Sequence, residues 1–202
     1  MGEVVDKARG VVQCDVMQAM DVLSHARPRL LSRAEYDRMV AEGMFANERV
    51  ELIRGILVEM SPIGSRHADP VDYLNRHFVR SLGDEAVVRV QQPFAASDDS
   101  EPEPDLALVP PRRYSDCHPD QAFLIIEVSD ESLGYDRETK GALYAASGVP
   151  EYWIVDVRGR VVEVHDRPQG GVYERVQRFT AGDRLAPAAF PAAELRIDEL
   201  FV

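Results

Sequence analysis

Lysine is almost missing from this chain. Of its 23 basic residues only Lys7 and Lys140 are lysines, and the rest are arginines. Cysteine is as scarce, at two residues, Cys14 and Cys117. Two thiols exclude a disulfide framework and fit a reducing cytoplasm. Cys117-His118 is half of a metal-binding pair with no second pair to complete it, which argues against zinc. No apolar run approaches bilayer-spanning length, and residues 1 to 26 lack the apolar block of a secretory leader. A cytoplasmic protein without a membrane partner is therefore expected. No glycine-rich phosphate loop is present, which excludes a nucleotide-driven enzyme of that type. Ser129, Ser132 and Ser147 have no histidine in a recognisable arrangement, so serine-hydrolase chemistry has no support.

Positive charge is lacking overall, with a net charge of −12. Nonspecific nucleic-acid binding depends on cations that neutralise phosphates, which counts against a free-standing DNA-binding module. A nuclease is not excluded, because catalytic carboxylates attract a metal ion first and the ion then meets the phosphate.

At 202 residues and 45% hydrophobic, the chain suits one domain with a real core. Residues 1–28 have no clean period and read as an N-terminal extension, with the domain at 29–202. Ser32-Arg33-Ala34-Glu35 is a capping box that opens a helix running to Gly43, with Tyr36, Met39 and Val40 on its inner face. A hairpin follows at 50–60, turning at Arg54-Gly55. Val71, Leu74, Phe78 and Leu82 give helical spacing over 66–82. Strands are expected at 86–95, 104–109, 122–128, 152–156, 161–165 and 172–179. A helix from Arg137 to Ser147 is expected to be capped by Asp136. Asp98, Asp99, Glu101 and Glu103 read as a solvated loop. The fold class is α/β, a mixed sheet flanked by helices.

The strand at 122–128 is apolar on both faces except at Glu127. Consecutive strands at 104–109 and 122–128 should pair antiparallel, which sets the start of one against the end of the other. Asp105 and Glu127 then stand side by side, at a spacing that suits two oxygens on one cation. Lys140, expected in the first turn of the next helix, leans back toward the same rim. Ordinary roles are open to each of them. Asp105 could serve a turn, Glu127 could pair with an arginine, and Lys140 could pair with Asp136 or Tyr144. Their convergence favours a site in which a divalent ion removes the repulsion between acids and polarises a phosphate.

These segments resemble a known family. Pro104-Asp105, Ile126-Glu127-Val128-Ser129, Tyr135-Asp136-Arg137 with Lys140, and the run from Gly148-Val149-Pro150 through Trp153 to Asp156 are similar to the Uma-type restriction endonucleases of the PD-(D/E)XK nuclease superfamily. Val50-Glu51-Leu52-Ile53-Arg54-Gly55 and His67 resemble its N-terminal part. The resemblance covers roughly residues 30–180 and is most specific from Glu127 to Asp156. It implies a restriction-endonuclease-like core, Mg2+ or Mn2+ as cofactor, and DNA as substrate. On that basis Asp105 and Glu127 are the metal ligands, Lys140 is the catalytic lysine, and Glu51 adds to the site. The superfamily's usual lysine position, two residues after the glutamate, is Ser129 here, so Lys140 stands in from the helix. His67 and Gln91-Gln92 are lesser candidates, and Tyr152 and Trp153 read as core. A homodimer, through the 161–179 hairpin, would supply two sites for two strands. Two rival readings are a nuclease fold that keeps partners but not catalysis, and a hydrolase of small phosphoesters.

Overall fold

The structure, a computed structural model, describes residues 25–201. The extension expected at 1–28 falls almost wholly outside them, as do Lys7 and Cys14. The elements are α1 (Arg33–Ala41), a hairpin of β1 (Val50–Ile53) and β2 (Ile56–Glu59), α2 (Ser65–Leu82), β3 (Val87–Val90), β4 (Leu106–Val109) and β5 (Leu124–Ser129). A helical run over 133–146, α3, follows in three pieces: an α turn Leu133–Tyr135, a π segment Asp136–Lys140 and an α segment Gly141–Ala146. Then come β6 (Glu151–Asp156), β7 (Val161–Gln169), β8 (Val172–Phe179), the short pair β9 (Arg184–Leu185) and β10 (Leu195–Arg196), and a 3-10 turn Ile197–Leu200.

Six strands make one mixed sheet in the order β3-β4-β5-β6-β7-β8. Only β5 and β6 are parallel, joined by the α3 crossover. Parallel neighbours need such a crossover and are covered on both faces. Every residue of β5 and β6 is buried accordingly. On one face α2 lays Val71, Leu74, Phe78 and Leu82 on Leu106, Ile126, Val128 and Trp153, and the C-terminal residues Ile197, Leu200 and Phe201 close that layer. On the other face Tyr144 and Val149, at and after α3, pack with Ala107, Ile125, Tyr152 and Ile154. The alternation of strand side chains thus sends Trp153 to one layer and Tyr152 to the other. It also sends Glu127, two residues from Ile125, toward α3.

Some expected boundaries move, each for a local reason. Tyr36 is buried but Val40 is 49% exposed, because α1 rests on the hairpin along a narrow stripe. The Tyr36 hydroxyl donates to the Val50 carbonyl there. The strand expected at 86–95 ends at Val90 because Gln91 takes a φ of 49°. Glu101 is not in solvent: it bridges to Leu52 of β1 and is only 3% exposed. The helix expected to start after Asp136 begins four residues sooner, with Ser132 at its N-cap. Asp136 and Lys140 therefore lie inside it, and Lys140 is beyond the reach of the helix-end dipole. The 161–179 hairpin is long and twisted but less apolar than expected, since most of β8 is exposed.

Candidate active site

The β4–β5 register decides the site. Leu106 stands opposite Ile126, so Asp105 stands next along, opposite Glu127. Directly opposed residues share a face, and both carboxylates line one open pocket of about 590 Å3 with Glu51, Asp136, His67 and Lys140. Glu51, Asp105, Glu127, Asp136 and Lys140 are all buried, none more than 6% exposed.

Asp105 is held from three directions. Val128 N–H donates to its Oδ2 at 2.8 Å. His67 Nε2 lies 2.8 Å from Oδ1, and Gln91 Nε2 donates to the same oxygen at 3.2 Å. Gln91 reaches it from left-handed backbone. Its own N–H meets the carbonyls of Pro104 and Asp105, and this strained conformation is of the kind that collects at working sites. Gln92 is exposed and takes no part. The hydrogen bond that His67 donates to Asp105 raises the basicity of His67, outweighing the effect of burial.

Glu127 is gripped on one oxygen. Lys140 Nζ donates to Oε1 at 2.9 Å and the Tyr144 hydroxyl donates to the same atom at 2.7 Å. Lys140 Nζ also lies 3.5 Å from Glu51 Oε2, and its ammonium stands over the Tyr135 ring. Glu51 is fixed in turn by the Glu103 N–H at 3.2 Å. Burial would strip the Lys140 proton, but Glu127, Glu51 and Asp136 outweigh it and lift the ammonium well above the usual lysine range. Burial pushes Glu127 up to about 8. Lys140 opposes that rise, and Asp105, Asp136 and Glu51 add to it. Burial also raises Asp136, against the Ser132 hydroxyl that donates to it. Four carboxylates thus share one ammonium and one histidine, a cluster short of positive charge.

The structure brings together the sequence-derived Asp105, Glu127, Lys140, Glu51 and His67. Tyr152 and Trp153 are core, fully buried on opposite layers. The sequence reading did not place Asp136 and Tyr144 in the site. The spacing Asp136, Lys140, Tyr144 is i, i+4, i+8, one helix face, and that was the available signal. The π segment keeps this face on the pocket. Gly141 N–H reaches back five residues to the Asp136 carbonyl, which Tyr152 also supports at 3.1 Å. Single π turns of this sort favour functional positions.

The clustered acids of the pocket offer oxygen ligands, a set that suits Mg2+ or Mn2+ better than softer ions. Among the described residues no three carboxylate, imidazole or thiol groups converge closely enough to enclose an ion by themselves. Magnesium commonly keeps several waters and takes one or two carboxylates, so the pair Asp105 and Glu127 fits that mode. No described helix is long and apolar enough to cross a membrane.

A family model, Uma2, described as "Putative restriction endonuclease", matches residues 33–198. A solved structure described as "a putative nuclease belonging to DUF820", from Anabaena variabilis, is 20% identical with a TM-score of 0.62, over 76% of this chain and 90% of that one. That likeness shows a shared fold. No curated protein matches. The mixed sheet agrees with that neighbour, the family match spans nearly the whole described domain, and the chain belongs to the Uma2 family.

Proposed function

We propose that this protein is a metal-dependent nuclease that hydrolyses phosphodiester bonds of DNA. One observation carries the reading: four buried carboxylates gather round a single lysine in an open pocket. Such a cluster is costly by itself, and a divalent ion on Asp105 and Glu127 would relieve it. When bound, the ion supplies charge for a phosphate oxygen and acidity for a water molecule.

The chain's own residues do the rest. Val128, His67 and Gln91 fix both oxygens of Asp105, so its orientation does not depend on the substrate. Tyr144 and Lys140 fix Glu127 through Oε1, and neither of their bonds uses Oε2. The acids around Lys140 favour its protonated form. Lys140 therefore acts as a hydrogen-bond donor to charge growing on the phosphate, not as the base that activates water. Glu51 holds the ammonium from the far side and keeps it over the pocket.

The net charge of −12 motivates one rival, a nuclease fold that binds partners without catalysis. Incubating DNA with Mg2+, Mn2+ or a chelator separates the two. Cleavage with the metals, lost with the chelator and lost in Asp105→Asn, supports the nuclease. Cleavage that survives Asp105→Asn removes the mechanism, and no cleavage under any metal favours the rival.

A further inference from the structure

A second hollow, of about 640 Å3, opens beside the first and shares Asp130 with it. Its walls are the start of α2, the β6–β7 turn and the C-terminal residues. The two differ in charge. Eight carboxylates line the first against one lysine, one arginine and His67. Three arginines, Arg66, Arg158 and Arg160, line the second against Asp69 and Asp130.

Each arginine has a distinct setting. Arg158 Nε binds Asp130 Oδ1 at 2.9 Å and its guanidinium also meets Glu131, so it cancels the acids on the ridge between the hollows. Arg160 is steadied by the Phe201 carbonyl and lies over the Phe201 ring, with no carboxylate partner among the described residues. Arg66 is exposed and bonds to no described residue. Guanidinium forks match phosphate oxygens in pairs. In a chain of net charge −12 a polyanion gains nothing from the average surface, so local cations must hold it.

We propose that the arginine hollow binds the phosphate next to the one being cut, so that a DNA strand passes from the acidic pocket over Asp130 to Arg66 and Arg160. The inference rests on the nuclease reading and adds where the strand runs. It also joins holding to chemistry through α2: His67 steadies Asp105, and the next residue back, Arg66, faces the neighbouring hollow.

The test compares Arg66→Glu with Arg80→Glu, which makes the same change of charge at the far end of α2, at another exposed arginine with no described partner. Binding of a fluorescent single-stranded oligonucleotide is measured in Ca2+ across a salt series, and KM and kcat for its cleavage in Mn2+. Arg66→Glu should weaken binding and raise KM roughly ten-fold or more, the loss typical of a charged contact. Its plot of log Kd against log salt should flatten by about 0.7 to 1. Arg80→Glu should match wild type. If wild type cuts DNA and both variants bind equally well, the hollow is not the strand's path and the nuclease reading stands. If wild type in Mn2+ cuts neither DNA nor bis(4-nitrophenyl) phosphate, the nuclease reading falls and takes this inference with it. Turnover of the small diester with no binding of DNA keeps the metal chemistry but overturns DNA as the substrate, and this inference with it.

Discussion

Lys140 carries two burdens at one atom. It is 6% exposed, between Glu127 and Glu51. Removing one partner of a buried ion pair leaves uncompensated charge and typically costs about 3–5 kcal/mol. Because Glu127 can take a proton with a pKa of about 8, the loss should sit toward the lower end at neutral pH. Lys140→Ala is thus expected to lower both stability, seen in urea unfolding, and cleavage rate, by about 10²–10³-fold if the ammonium stabilises transition-state charge. An active Lys140→Ala enzyme would end that role. A simple loss of activity with wild-type stability is not expected from so buried a residue. Glu101 gives a cleaner test of burial. Its Oε2 is buried without a hydrogen bond, and burial, with Asp37 nearby, lifts its pKa to about 7. A carboxyl raised above its unfolded value of 4.5 contributes stability that is whole below pH 4.5 and is lost as pH climbs through 7. Glutamine does not titrate. Glu101→Gln should therefore match wild type near pH 5 and exceed it at pH 8.5 by on the order of 2 kcal/mol. Equal unfolding midpoints at both pH values would count against the assignment.

At the scale of elements, the hairpin that delivers Glu51 depends on its turn. Arg54 and Gly55 both have positive φ, at 50° and 78°, the pattern of a two-residue turn that matches strand twist. A Cβ on Gly55 would also lie 2.5 Å from Leu30 Cβ, where Leu31 N–H binds the Gly55 carbonyl. Gly55→Ala combines strain and overlap and should destabilise by about 1–3 kcal/mol; an unchanged urea midpoint would refute it. That turn was legible in the sequence because Arg-Gly between two apolar alternations has few other uses. So was the placing of Asp105 against Glu127, since consecutive strands joined by a loop that holds no crossover helix pair most simply antiparallel. The start of α3 was not legible. Asp136 has the chemistry of a cap, and only tertiary packing shows that Ser132 opens the helix while a π turn carries Asp136 inward. The end of β3 was equally hidden, because Gln91 adopts left-handed backbone for the sake of contacts with residues 104 and 105, which local sequence does not announce.

Across the whole molecule, the sheet works as a frame that holds like charges together. Strands β4 and β5 fix Asp105 and Glu127, α3 supplies Asp136, Lys140 and Tyr144, and the hairpin adds Glu51. Each acid is anchored to a different element, so their repulsion acts on the packing of the domain as a whole. A ligand that relieves that repulsion and binds only the folded state must then raise global stability, by RT ln(1 + [L]/Kd), or about 2.7 kcal/mol at a hundred times Kd. For a domain of this size each kcal/mol shifts Tm by about 2–4 °C, so saturating Mn2+ should raise Tm by about 5–10 °C over the chelated protein. Asp105→Asn keeps an acceptor for Val128 N–H and presents an amide N–H to the His67 ring nitrogen, which accepts it when neutral, while removing one charge from the cluster. It should therefore start no less stable than wild type without metal, and lose most of the Mn2+ shift. A wild-type Tm that ignores millimolar Mn2+ would separate the charge-poor cluster from any metal. An Asp105→Asn protein that keeps the full shift would place the ion elsewhere than on the β4–β5 pair.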